Sequence, residues 1–449
     1  MNITLISPPF GEGGQKSKGL DIAPPVLEYL AGLTEQVRPG SHAVTLIDAN
    51  KRDFDPETCD ADLVGMTVLT PQAPWAYRMA DRLRARGMQV LFGGIHVHAL
   101  PDEAAPHADA LVLGEAETIW GEILDDAEAR ALKPIYHGPF APLERLPHPR
   151  TGLLPDRYQF GSFFTSRGCP HSCAFCSVHG FFGRSVRMRP IDEVVAEVAA
   201  SKKRLFWNID DNVWGVNVNR SIELYKEMAQ QVSGKWWFGS GDLVTIDHSR
   251  GDELLEWARR AGMTSALVGF ESPSPLVLEE LKATRKQGRD RIDAIKRIRA
   301  AGIDVMLFIM TGSRADHLQD YDAILEFCEK YDVAAHPAMT TPFPGTALYE
   351  SYRPFLLPDM DWDTFDGNHA LYTHEDPAMT VEAREAALRK LRADLFEMPQ
   401  ILKRISKISH KGFPMAHITS FFVQYPQGRA FREFAREHED KLGDVRAHV

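Results

Sequence analysis

Long apolar runs are missing from this 449-residue chain, and no stretch approaches the ~20 residues that a membrane span requires. The first residues, Met1 to Pro9, read as a strand and a turn. They lack the basic-then-apolar order and small-residue cleavage site of a secretory signal, so a cytoplasmic protein without a membrane partner is expected. Cysteine is scarce. There are five, three of them crowded between Cys169 and Cys176, too few and too clustered for a disulfide framework. Cys59 and Cys328 stand alone and are expected as free thiols in or near a core. A positive charge excess is also missing: 62 acidic against 51 basic side chains give −11. That balance argues against a nonspecific grip on nucleic acid. Arg184, Arg187 and Arg189 form one small basic cluster, expected at the surface or against an anion. Low-complexity segments are absent.

What is present fits a globular protein: 44% apolar and 25% charged residues, at a length suggesting two or three domains. The first ~140 residues alternate strand and helix, with β-branched apolar runs at Ile3–Ile6, Val44–Ile47, Leu63–Leu69, Val90–Phe92 and Ala110–Leu113. Strands apolar throughout suit a parallel sheet covered on both faces. Gly93-Gly94 and Gly114 follow two of those strands, at the carboxyl edge where such sheets bind ligands. Pro139 to Pro155 reads as a connection.

A second series has strands starting near Gly161, Arg204, Trp236, Ser265, Asp304 and Ala334, spaced as one βα unit each. Gly262 and Gly302 punctuate two of its helices as caps. The fold expected is α/β: a doubly wound domain over 1–140, a linker over 141–160, an incomplete (β/α)6 TIM-type barrel over 161–350, and a mostly helical region over 351–449. Helices are expected there at Ala383–Leu395 and Ala430–Leu442, as a lid or a third domain.

The strongest chemical signal is Gly168-Cys169-Pro170-His171-Ser172-Cys173-Ala174-Phe175-Cys176. Three thiolates at C-x3-C-x2-C spacing can bind three irons of a four-iron cubane from one short loop. No fourth cysteine lies within a hundred residues on either side, so one iron is left open to an outside ligand. The alternative is a zinc knuckle completed by His171 or His179, although structural zinc sites usually draw two ligands from each of two loops.

Ser166-Arg167-Gly168 leading into these cysteines resembles the radical S-adenosylmethionine superfamily. The continuation to Pro190, with Phe182-Gly183-Arg184, Arg187 and Arg189-Pro190, is similar to the branch with an N-terminal cobalamin-binding domain, which includes radical methyltransferases. The resemblance implies a [4Fe-4S] cluster on Cys169, Cys173 and Cys176, and reductive cleavage of S-adenosylmethionine. It also implies an external one-electron donor such as flavodoxin or ferredoxin, and a small-molecule substrate rather than nucleic acid, in secondary metabolism. It places Phe175 beside the adenine, Asp210, Asp211 and Asn212 near the methionine amino group, and Glu271 and Ser272 against the cofactor's polar parts. Asp210–Asn212 could instead cap a helix, and Glu271 could be a buried structural carboxylate. Thr341–Thr346 is as readily a shaping turn as a ligand contact.

In the first domain Leu69-Thr70-Pro71, Gly93-Gly94-Ile95-His96-Val97 and Gly114-Glu115-Ala116-Glu117 resemble a cobalamin module. The D-x-H-x-x-G motif that supplies a cobalt ligand in many such proteins is absent, and His96 and His98 lack its context. Members of that branch often lack the motif too, and with cobalamin bound the resemblance implies methyl transfer. Transfer of a 3-amino-3-carboxypropyl group or radical ring formation beside a vestigial domain stand as alternatives, and a non-enzymatic sensor stands as a third. Trp214, Trp236, Trp237, Trp362 and Phe365 either seal the site or belong to cores. The segment Asp361–Gly367 has no assigned role.

Overall fold

The computed structural model describes residues 1–10, 22–154, 158–215, 217–358 and 360–408, and positions 420, 424, 425, 428 and 429. The expected helix Ala430–Leu442 and Pro155 of the proline-rich stretch lie outside the described residues.

The first sheet contains β1 (Asn2–Ser7), β2 (Ala43–Asp48), β3 (Leu63–Thr67), β4 (Gln89–Gly93), β5 (Ala110–Gly114) and β6 (Ile135–Gly138), in the order β2-β1-β3-β4-β5-β6. All pairings are parallel. Strand order reverses between β1 and β3, which opens a crevice at the carboxyl edge. The five apolar runs coincide with β1–β5. The sixth strand was not foreseen, because of Ile135–Gly138 only Tyr136 is buried and an edge strand shows no apolar run. Helices Pro25–Val37 and Trp120–Glu128 cover one face and Ala73–Ala85 the other, each with a buried core.

After residues 139–154, which hold turns and coil but no helix or strand, the second sheet begins: β7 (Phe160–Phe163), then β10 (Leu205–Asn208), β11 (Trp236–Gly241), β12 (Met263–Glu271), β13 (Asp304–Thr311) and β14 (Ala334–Met339). These six strands form one parallel sheet in sequential order, the expected open partial barrel. Between β7 and β10 a two-stranded antiparallel ladder joins β8 (Ser166–Arg167) to β9 (Arg187–Met188). Ser166-Arg167 is therefore not the end of the first barrel strand. It is one side of a clasp that closes residues 168–186, cysteines included, into a lobe.

Alternation along the strands sends Val305, Leu307 and their neighbours outward to the helices. Phe160, Leu205, Trp207, Phe238, Leu267, Met306 and Phe308 point inward and pack on one another. Trp214 and Trp237 belong to the outer core, so they pack rather than seal.

The helix on the outer side of β14 is Val381–Leu395, beside helix Leu318–Tyr331. It is the sixth helix of the barrel, neither a lid nor a separate unit, and the barrel's last βα unit thus extends past residue 350. Arg392 ties it inward, donating from Nε to the Pro337 carbonyl at 2.9 Å and from Nη1 to Asn368 Oδ1 at 2.7 Å. The described residues between 353 and 380 hold two single-turn 3-10 helices, Arg353–Phe355 and Trp362–Thr364, with turns and coil around them.

Candidate active site

Gly168 starts the cysteine loop with φ +95°, and a Cβ there would meet the Ser185 carbonyl oxygen at 2.5 Å. The loop's main chain is pinned on both sides. The Ala174 N–H donates to Leu281 O at 2.9 Å, and the Leu348 N–H donates to Ala174 O at 2.8 Å. Cys173 is buried, while Cys169 and Cys176 are half-buried. Burial pushes the Cys169 thiol up to about 12, so deprotonation there calls for a bound metal. Phe175 packs with Phe343, Leu278 and Leu348 around these thiols.

Among the described residues no three His, Cys, Asp or Glu side chains converge as a site for a single ion. A cubane has no such need, because each cysteine binds a different iron. His171 is also engaged elsewhere: its Nε2 lies 2.7 Å from Asp242 Oδ2. The donor set thus fits a cluster better than a zinc knuckle.

Asp210 departs from its expected role. It is fully buried, and its Oδ1 accepts the N–H groups of Thr165 and Ser166 at 2.6 and 3.1 Å. Its Oδ2 accepts both hydroxyls of the same residues. With four acceptor sites filled, nothing is left for an ammonium group. The residue anchors the root of the cysteine loop, and burial raises its carboxyl to about 6. Asp211 adds a second tie, accepting the Gly168 N–H at 3.0 Å. Asn212 donates to Asp242 Oδ2 at 2.8 Å and reaches the loop through His171.

Glu271 is buried and left-handed at φ +62°, where the pairing of β12 with β13 slips by one residue. Such strain at the carboxyl end of a barrel strand marks a place shaped for contact. Ser272 is held from behind, its carbonyl accepting Arg291 Nη1 at 2.6 Å. Thr341–Thr346 behaves as a turn: Thr346 caps helix Ala347–Tyr352, accepting the Tyr349 N–H at 3.1 Å.

A cavity of about 380 Å³ opens at the reversal point of the first sheet, and both modules line it. Leu5, Met66, Leu69, Gly93, Gly94 and Gly114 come from the first. Phe163, Ser166, Arg167, Phe182, Ile209 and Asp211 come from the second. Gly94 has φ +104°, and a Cβ would press on Val68 N and O at 2.7 Å.

The two modules meet through a charge network that sequence reasoning missed. Glu115 is buried. Its Oε2 accepts Arg187 Nη1 at 2.8 Å and the Ala141 N–H at 2.6 Å, and its Oε1 lies 3.2 Å from Arg167 Nη1. Arg167 also pairs with Glu117 at 2.6 Å. Burial works to raise the Glu115 carboxyl, yet Arg187, the Ala141 N–H and Arg167 together hold it below the ordinary range. Arg187 is thus partly buried and Arg189 fully so, the latter donating to Glu197 at 2.8 Å. Of the basic trio only Arg184 is exposed. The signal that could have found this network was two acids after β5 and two arginines flanking the cysteine loop.

Trp362, in the unassigned segment, docks on the first module. Its Nε1 donates to Glu103 at 2.8 Å, and its ring meets His96 edge-on at 5.4 Å. His96 is fully buried between Tyr77 Oη, 3.0 Å away, and Thr70. His98 packs on Phe181. Neither histidine lines the cavity.

A doubly wound sheet facing an open six-stranded barrel, with a three-thiol loop at their junction, defines a two-module, cluster-dependent enzyme. The B12-binding domain family matches residues 17–124 and the radical SAM superfamily residues 163–328. The chain belongs to the radical S-adenosylmethionine superfamily, in the branch with an N-terminal cobalamin-binding domain. Membership brings a [4Fe-4S] cluster, S-adenosylmethionine and cobalamin as its cofactors.

Among its relatives is the bacteriochlorophyllide d C-12(1)-methyltransferase of Chlorobaculum tepidum, 26% identical over 88% of this chain and 86% of that protein. Another is an uncharacterized methyltransferase of Pyrococcus horikoshii, 28% identical over 92% and 96%. The solved radical methyltransferase TsrM of Kitasatospora setae, with tryptophan and a SAM analogue bound, shares the fold. Its TM-score is 0.69 at 15% identity, over 98% of this chain and 99% of that one. OxsB, a cobalamin-dependent radical enzyme, has a TM-score of 0.70 at 14% identity, over 100% and 75%. Among the described residues no helix is long and apolar enough to cross a membrane.

Proposed function

We propose that this chain transfers a methyl group from S-adenosylmethionine to a small molecule, using cobalamin held at the junction of its two modules. The observation that carries this reading is the shared cavity: the glycine-rich edge of the first sheet and the root of the cysteine loop line one space. Cys169, Cys173 and Cys176 would hold the cluster, which supplies the electron that breaks a carbon–sulfur bond. Gly93, Gly94 and Gly114 would let the corrin, the methyl carrier, lie close to the strand ends. Phe175 packs beside the thiols, Asp211 lines the cavity, and Glu271 and Ser272 stand at the carboxyl end of β12, where S-adenosylmethionine would be oriented. Inward-facing Trp207, Phe238 and Phe308 present an apolar barrel interior to a substrate and exclude water that would quench radicals. The relatives named for methyl transfer support this reading over aminocarboxypropyl transfer.

Anaerobic reconstitution with iron and sulfide is expected to load about four irons per chain. Changing all three cysteines to Ala should abolish both the cluster and the release of 5′-deoxyadenosine from S-adenosylmethionine under dithionite. A triple variant that keeps its irons would end the assignment, and methylthioadenosine as the product would redirect it to aminocarboxypropyl transfer.

Because no histidine lines the cavity among the described residues, the cobalt should have no imidazole ligand from this chain. Electron paramagnetic resonance of the bound cob(II)alamin is expected to be identical in unlabelled and ¹⁵N-histidine-labelled protein. A label-dependent splitting would contradict this.

A further inference from the structure

Every second side chain of the barrel strands faces inward, and toward the carboxyl ends these positions fall into two tiers. The lower tier is a floor of rings. Trp207 lies nearly parallel to Phe238, with 18° between planes and 6.0 Å between centroids. Phe308 pairs in register with His336 and meets its ring edge-on at 5.7 Å. Trp207, Phe238 and Phe308 all pack on Phe160, Leu267 and Met306. One step nearer the carboxyl ends, the same alternation gives Ser162, Ile209, Ser240, Gly269, Met310 and Ala338. Four of these are small, and all are half-exposed, although their strand neighbours Phe163, Gly239, Val268, Ile309 and Pro337 are buried. Helices cover the outer face, so this exposure comes from within the barrel. Ser162 and Ile209 also line the intermodule cavity. The chamber above the ring floor is thus continuous with the space assigned to the corrin.

The chemistry of this chamber is uniform. Neither tier contains Asp, Glu, Lys or Arg. Burial, with Arg392 nearby, holds the His336 imidazole down to about 4, so it adds no charge near neutral pH. Asp304, two residues before Met306 on the same face of β13, already accepts the Ser420 hydroxyl. An ionised ligand would lose its water here and meet no counter-charge. One donor does await a partner. Trp207 Nε1 is shut off from water and, among the described residues, has no hydrogen-bond partner. A buried donor left unmade is destabilising, and an acceptor arriving on a ligand removes that penalty.

We infer that the substrate is an uncharged flat ring, aromatic or heteroaromatic, that carries a hydrogen-bond acceptor. It lies on the ring floor, with that acceptor on Trp207 Nε1. The inference rests on the proposed methyl transfer and deepens it by naming the substrate class. A ring above the floor gains offset-stacked and edge contacts with Trp207, Phe238 and Phe308. The small side chains of the upper tier leave the width that a flat body needs. The opening at Ser162 and Ile209 turns its edge toward the methyl carrier.

Equilibrium dialysis of the reconstituted holoenzyme tests this, with S-adenosylmethionine and cobalamin present and no reductant. Quinoline offers a flat ring and an acceptor nitrogen, naphthalene the ring alone, and quinoline-4-carboxylate an added charge. Quinoline should bind the wild type. Trp207→Phe should weaken it about tenfold and change naphthalene by less than about twofold. The carboxylate should bind at least about tenfold more weakly than quinoline. The inference is overturned by a wild type that takes no quinoline, or by a carboxylate that binds as well as quinoline. Quinoline binding that Trp207→Phe leaves unchanged, or lowers only as much as naphthalene binding, overturns it too. If Trp207→Phe fails to load iron, Ser240→Leu narrows the chamber from one wall and should weaken both rings alike; unchanged binding there counts equally against it. Dithionite added afterwards separates the two claims. A holoenzyme that takes quinoline but releases no 5′-deoxyadenosine refutes the proposed reaction and leaves the binding site standing.

Discussion

Asp210 shows how one buried side chain can serve a site without touching its cofactors. Its carboxylate gathers four donors from Thr165 and Ser166, directly ahead of Gly168 and the cysteines. Burial raises its carboxyl from 3.8 to about 6, so the folded state holds a proton more tightly than the unfolded chain. Stability from this group is complete below about pH 4 and is lost as pH rises through about 6. The neutral variant Asp210→Asn should therefore gain on wild type across that window, levelling off at a difference on the order of 3 kcal/mol. Denaturant titrations at several pH values measure this, and a flat difference would refute it. The placement of the three cysteines on one loop and of Glu271 at the end of a barrel strand was legible in the sequence. The direction of the Asp210 carboxylate was not, because a strand-end acid can face a ligand or turn back on its own neighbours with the same sequence signature.

At the scale of elements, the turn after β4 decides the shape of the cavity. Gly94 is left-handed, and a methyl group there would collide with Val68 N and O, whereas a Cβ at Gly93 finds nothing nearer than Val112 at 3.8 Å. Gly94→Ala is expected to lower stability by about 2 kcal/mol through strain and steric clash. Gly93→Ala should leave stability nearly unchanged and weaken corrinoid binding, because its methyl projects from a cavity wall. Thermal melts with cobalamin titration separate the two, and equal melting temperatures for both variants would contradict the contrast. In the two parallel sheets, strand positions were readable from the sequence in all but β6, whose edge position leaves one buried residue. The clasp of β8 with β9 was not readable, because two-residue strands carry no periodicity. The placement of helix Val381–Leu395 on β14 was hidden by the turns and short 3-10 helices between 353 and 380 that separate the two in sequence.

For the whole molecule, the junction between modules governs whether two cofactors can work on one substrate. Glu115 from the first module binds Arg167 and Arg187 on either side of the cysteine loop, and Trp362 reaches back to Glu103. Glu115→Ala would strip an acceptor from two partly buried guanidinium groups and the Ala141 N–H, a loss worth about 3 kcal/mol. Calorimetry is expected to show the unfolding of this variant splitting into two transitions, as the modules come apart. A single transition at the wild-type temperature would show that the network does not couple them.

The sequence by itself determined the alternation of strands and helices, the three-thiol loop and the chemistry that spacing permits, because these depend on near neighbours along the chain. Tertiary structure alone decided that the glycine edge and the cysteine loop share a cavity, that Asp210 faces inward to its loop, and that Glu115 meets Arg167. Those pairings join residues about 45 to 90 positions apart, brought together by sheet order and burial, and no local pattern records which distant partner a buried charge will find.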